Sequence, residues 1–226
     1  MTELGHLLLA DSVFLDLQWQ RELRPAFCMG AIAPDAHRAT VSITYRDVHF
    51  RSARRAGYRL VDFLRRYLRP ALQSDDPGAR AFFAGYLTHL CADDVWRQKI
   101  RGELHPLWLR MTGAAHLEKM ALRAEFYDEC DWVDIQLYQR NANLVEDLRW
   151  ALEQASPEYA IPPLHPADLH TWRQEVIASK LPPSNFSVTE PRFLSVDFML
   201  DAMAISEEEA VGMINWELKQ PLSDES

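Results

Sequence analysis

Residues 77–99 read PGARAFFAGYLTHLCADDVWRQK, and their pattern decides the fold. Ser74, Asp75 and Asp76 offer an N-cap and Pro77 suits a first turn, so a helix is expected to start here. Ala81, Phe82, Phe83, Ala84, Tyr86, Leu87, Leu90, Val95 and Trp96 make it apolar nearly all round. Such a helix is normally central and buried. His89 and Asp93 interrupt it four residues apart, so their side chains leave one face. Burying an imidazole and a carboxylate is costly unless they pair or hold an ion. By itself this spacing fits a hydrogen-bonded core pair as well as a metal-ligand pair.

Working outward, three- and four-residue apolar steps dominate. Leu4, Leu7, Leu8, Val13, Phe14 and Leu17 predict an amphipathic helix over 3–20. Pro25, Gly30 and Pro34 predict a turn-rich link. Residues 47–69 read as a helix with Phe50, Tyr58, Phe63, Leu64 and Leu68 on its apolar face, stopped by Pro70. A long helical pattern covers 114–154, with Leu117, Met120, Trp132, Ile135, Leu144, Leu148 and Leu152 inward. A proline-rich loop follows, then a short helix over 167–179 and another from Val196 to Ala204. Ser206 to Glu209 reads as a capping box that opens a last helix. Thr40 to Tyr45, with Val41, Ile43 and Tyr45 alternating, is a weak strand candidate. The expected class is all-α: one multi-helix domain over 1–226, with 181–226 a candidate C-terminal appendage.

The chain has 226 residues, enough for one domain with a real core. Its net charge of −9 disfavours a broad nucleic-acid face. Arg51, Arg54, Arg55, Arg59, Arg65, Arg66 and Arg69 form a local exception, read first as a solvated face and second as an anion-binding patch. Cys28, Cys91 and Cys130 are odd in number and form no CxxC pair, which points to a reducing cytoplasm. The first ten residues lack the basic region of a signal peptide, and no apolar run is long enough for a spanning helix.

Three further segments bring candidate ligands. Asp35 and His37 stand in the proline-shaped turn AIAPDAH, His49 stands in DVHF at a helix start, and His6 lies in the apolar run of the first helix. Zinc takes imidazole nitrogen and carboxylate oxygen, so His6, Asp35, His49, His89 and Asp93 are candidate ligands. Each has a plain alternative: Asp35 as a turn cap, His49 as a helix-start residue, His37 as a turn residue. Asp94 reads as a solvated neighbour or an acceptor that orients an imidazole. His105, His165 and His170 read as loop residues.

The segments GAIAPDAH, DVHF and GYLTHLCADDVW resemble the zinc-dependent phospholipase C family, in its small bacterial intracellular branch. The resemblance covers residues 4–100. It implies the all-helical phospholipase C/P1 nuclease fold, two or three zinc ions, and hydrolysis of phosphate esters. It carries the HxxxD ligands onto His89 and Asp93, and the remaining ligands onto His49, Asp35 and His6. Asp35 is also the expected acceptor of a proton from the attacking water. Two departures are visible. Secreted members ligate metal through a processed N-terminal amine, for which Met1 gives no obvious equivalent. The family's downstream His and Glu also have no clean match; Asp128 and Asp131, among Phe126, Tyr127 and Trp132, are favoured instead.

The expected function is therefore metal-dependent hydrolysis of a small anionic phosphate ester, drawn in by Arg51, Arg54 and Arg55. The alternative is a non-catalytic, metal-stabilised helical binding or regulatory protein. A helical nucleotide phosphohydrolase is disfavoured, because that class carries an adjacent His-Asp pair and none occurs here.

Overall fold

The computed structural model describes residues 1–40, 42–50, 60–107, 119–181 and 191–220, with side chains of the 119–140 helix described from 126 onward. Its elements, in order, are α1 (Glu3–Asp16), α2 (Arg24–Ile32), a 3-10 stretch (Ala33–Ala39), α3 (Tyr45–Val48), α4 (Leu60–Phe63), a π-turn (Leu64–Leu68), α5 (Arg69–Leu72), α6 (Pro77–Lys99), a second π-turn (Ile100–Leu104), α7 (Lys119–Arg140), α8 (Ala142–Gln154), α9 (Pro166–Ser179) and α10 (Val196–Leu218). The protein is mostly helical, with no β-strand among the described residues. No described helix is long and apolar enough to cross a membrane.

Helix α6 is the axle. Asp76 caps it through Oδ1, which accepts from the Gly78 and Ala79 amides. From Ala81 to Trp96 nearly every side chain is buried. Helix α2 crosses it so closely that the backbones touch. A Cβ at Gly30 would lie 1.9 Å from the Phe82 carbonyl oxygen, and one at Gly85 would lie 2.0 Å from that of Phe27. Only hydrogen fits at either position, and the reward is that carbonyls near the end of α2 reach side chains of neighbouring helices. Trp172 of α9 donates Nε1–H to the Ile32 carbonyl at 2.9 Å. Helix α1 lays Leu4, Leu7, Leu8, Val13 and Phe14 into the same core. Full burial of such side chains stabilises by about 1.5–3 kcal/mol each.

Several sequence expectations change. The predicted link at Pro25–Gly30 is helix α2, because Pro25 is tolerated in a first turn and Gly30 serves packing rather than turning. Pro70 does not stop its helix: the wide π-turn just before it absorbs the missing N–H, and the helix runs on to Leu72. Ser206 begins no helix. It is buried inside α10 and returns its hydroxyl to the Ala202 carbonyl, so its polar group is satisfied without a cap. The expected strand at Thr40 to Tyr45 is absent among the described residues there, and Thr44 at the start of α3 instead donates its N–H and its hydroxyl to Asp47 Oδ2. Of the stretch read as a candidate appendage, α10 buries Met199, Ala202, Ala210 and Ile214 in the common core. It is tied to the rest by a Ser12–Glu207 hydrogen bond and a bidentate Arg69–Glu217 pair.

Candidate metal centre

Four imidazoles and two carboxylates from several elements meet beside the C-terminal half of α6. His6 comes from α1, Asp35 and His37 from the 3-10 stretch, His49 from the C-cap of α3, and His89 and Asp93 from α6. His6, Asp35, His49 and His89 are all buried. They fall into two groups, His6–His89–Asp93 and Asp35–His37–His49. Within each, one ligand atom per residue lies within 4.8 Å of the others. The groups touch each other: His49 Nε2 is 3.1 Å from His89 Nε2 and 3.6 Å from both Asp35 Oδ1 and Asp93 Oδ2.

Each imidazole is set by its neighbours. His89 Nδ1 faces the Ala31 carbonyl at 2.8 Å, which the Gly30–Gly85 crossing brings within reach. His49 Nδ1 faces the Tyr45 carbonyl at 3.1 Å, and His37 Nδ1 faces that of Pro34 at 3.0 Å. A carbonyl only accepts, so in all three rings Nδ1 carries hydrogen. The neutral ring then turns a bare Nε2 lone pair elsewhere. The Nε2 atoms of His49 and His89 confront each other at 3.1 Å. His6 stacks on His89 with centroids 3.7 Å apart. Both His6 nitrogens are buried with no hydrogen-bond partner, although Nε2 comes within 3.3 Å of Asp93 Oδ1.

Two of these rings, His6 and His49, resist protonation. Burial first, then the neighbouring His89, holds the His6 imidazole well below its ordinary value, and the same two causes act on His49. Burial raises the Asp35 carboxyl, against the pull of His89 and Arg38. For Asp93 burial also pulls upward, but the Met1 ammonium together with His6 and His89 outweighs it, and the carboxyl stays well below the usual range. Buried imidazoles beside an ionised carboxylate form a donor set that suits a divalent cation such as zinc.

Surrounding residues hold the candidate ligands in place. Met1 N lies 3.2 Å from Asp93 Oδ1, where the sequence reading had assigned nothing. Tyr45 donates its hydroxyl to Asp93 Oδ2 at 2.7 Å. Arg38 pairs with Glu3 and lies 3.4 Å from Asp35 Oδ2. A cleft of about 380 Å³ opens over the centre, with Asp35, Arg38, Tyr45, Asp93, Trp96, Arg97, Tyr127, Asp131, Asp134 and Lys180 on its walls.

Arg51, Arg54, Arg55 and Arg59 lie outside the described residues. Arg65 and Arg66 are exposed. Asp128 is exposed, Asp131 is half-buried on the cleft wall, and neither belongs to a ligand group among the described residues. Sequence reading passed over Asp134 in favour of these two. Asp134 is buried and accepts the Thr2 hydroxyl at 2.6 Å, and burial pushes its carboxyl up to about 7. Its signal was positional: it falls on the inward stripe of Cys130, Val133 and Leu137, which Asp128 does not. Arg38 and Tyr45 were also missed, though Tyr45 precedes His49 by the same four residues that separate His89 from Asp93.

No protein-family model, no curated protein and no solved structure matches this chain.

Proposed function

We propose that the chain is a zinc-dependent hydrolase of phosphate esters, similar in its site to zinc-dependent phospholipase C. The observation that carries this reading is the pair of Nε2 atoms of His49 and His89, 3.1 Å apart beside two carboxylates. Like lone pairs at that separation repel, and only a bridging proton or a cation relieves them. The depressed basicity of His49 argues against that ring supplying the proton.

Two ions suit the two groups: His6, His89 and Asp93 would hold one, and Asp35, His37 and His49 the other. Bound there, zinc supplies Lewis acidity, polarising a phosphoryl oxygen and making water acidic near neutral pH. The chain's own residues supply the rest. Asp35, with its carboxyl biased towards holding a proton, is placed to accept one from the attacking water. Arg38, 46% exposed at the cleft, offers a guanidinium beside Asp35 to a phosphate oxygen. Trp96 and Tyr127 shape the wall that receives the ester group.

The test is metal analysis of zinc-loaded protein with an assay on phosphodiesters and phosphomonoesters. Two equivalents of zinc and metal-dependent release of product support the reading. Tight zinc binding without hydrolysis of either class leaves a metal-stabilised, non-catalytic protein. Less than one equivalent of zinc overturns it.

A further inference from the structure

We infer that Tyr45 couples the two ligand groups, so that filling one prepares the other. The inference rests on the two-ion reading above. Tyr45 touches members of both groups through three different parts of itself. Its carbonyl accepts Nδ1–H of His49 at 3.1 Å, which fixes the tautomer that leaves Nε2 bare. Its ring lies nearly parallel on the His49 ring, with centroids 3.7 Å apart and planes 22° from each other, and meets His37 edge-on at 5.7 Å. Its hydroxyl donates to Asp93 Oδ2 at 2.7 Å. His37 and His49 belong to one group and Asp93 to the other.

The backbone around Tyr45 is stiff. Helix α3 is one turn long, fastened at its start by two hydrogen bonds from Thr44 to Asp47 and at its end by Tyr86, which donates to the Val48 carbonyl at 2.6 Å. The ring therefore has little freedom except to follow His49. An ion on Asp35, His37 and His49 immobilises His49, hence the ring on it, hence the hydroxyl that orients Asp93. Residues that orient ligands in this way typically change metal affinity by about 10–100-fold. Tyr45 is a positioning residue, since it acts through His49 and Asp93.

The experiment titrates chelator-stripped full-length protein with zinc against a competing chromophoric chelator, and with cobalt read by its visible spectrum. Tyr45→Phe keeps the carbonyl and the stacked ring and removes only the hydroxyl. Wild type is expected to bind two ions cooperatively. In Tyr45→Phe the first constant stays within about threefold and the second weakens by about tenfold, so cooperativity disappears. Tyr45→Leu, which also loses the stack, weakens both. Metal-free melting temperatures of wild type and Tyr45→Phe within a few degrees exclude a folding defect. Unchanged stepwise constants in Tyr45→Phe, or equal weakening of both, overturn the coupling while leaving the metal reading intact. Less than one equivalent in wild type overturns the metal reading and the coupling with it.

Discussion

Replacing Gly85 by alanine should unseat the centre from beneath. The new Cβ would sit 2.0 Å from the Phe27 carbonyl oxygen and 3.1 Å from the Ala31 nitrogen, both backbone atoms of α2. No side chain can swing aside, so α2 and α6 must part by about 1 Å. Carried to Ala31, that shift stretches its 2.8 Å hydrogen bond to His89 beyond useful range. Overpacking against backbone costs about 3 kcal/mol, at the upper end of its usual range. The lost buried hydrogen bond adds about 1 kcal/mol. Alanine's better helix propensity returns about 1 kcal/mol. The net loss of about 3 kcal/mol lowers Tm by roughly 6–12 °C for a chain of this size. Gly212→Ala is the control: an added Cβ there meets nothing within 4 Å, so only the propensity gain remains and Tm should rise by roughly 2–4 °C. Calorimetry of both variants in chelator decides. If Gly85→Ala melts within 2 °C of wild type while Gly212→Ala behaves as expected, the close crossing is not what positions His89.

Zinc at a hundredfold excess over Kd should stabilise the fold by about 2.7 kcal/mol, which is roughly 5–10 °C in Tm. His89→Ala should abolish that shift and the hydrolysis together, and an equal zinc shift in the variant would refute the site. Asp134 gives a pH test in metal-free protein. Its folded carboxyl keeps a proton up to about 7 whereas the unfolded one releases it near 3.8, so the folded state binds more protons between these values and stability falls as pH rises through them. Asp134→Asn should therefore gain on the order of 2–4 kcal/mol at pH 8.5 and almost nothing at pH 3.5; urea midpoints that shift equally at both pH values would contradict this. His6 and His49 act in the opposite sense. Held well below 6.5, they bind fewer protons folded than unfolded, so stability drops as pH falls below that value. His6→Asn should flatten that acid limb in a urea series from pH 7 to 4.5, and an unaltered slope would count against a neutral buried His6.

The sequence by itself determined the class of the fold and the chemical character of the site. An apolar 77–99 helix must lie at the centre, because no other placement hides its whole circumference. Histidines and acids set in such apolar runs must be compensated, and that requirement is local enough to read residue by residue. Spacing along one helix gave the His89–Asp93 face, and the inward stripe of α7 marked Asp134 for a reader who followed it. Tertiary structure alone decided how the ligands divide into two groups, because Asp35, His37 and His49 are aimed by contacts between elements far apart in the chain. It also decided that Gly30 is a packing glycine inside a helix, that Pro70 and Ser206 interrupt nothing, and that Arg38 and Tyr45 hold the ligands. Those outcomes depend on which backbone atom of one helix comes within 3 Å of a side chain on another, a distance that no periodicity within a single segment encodes.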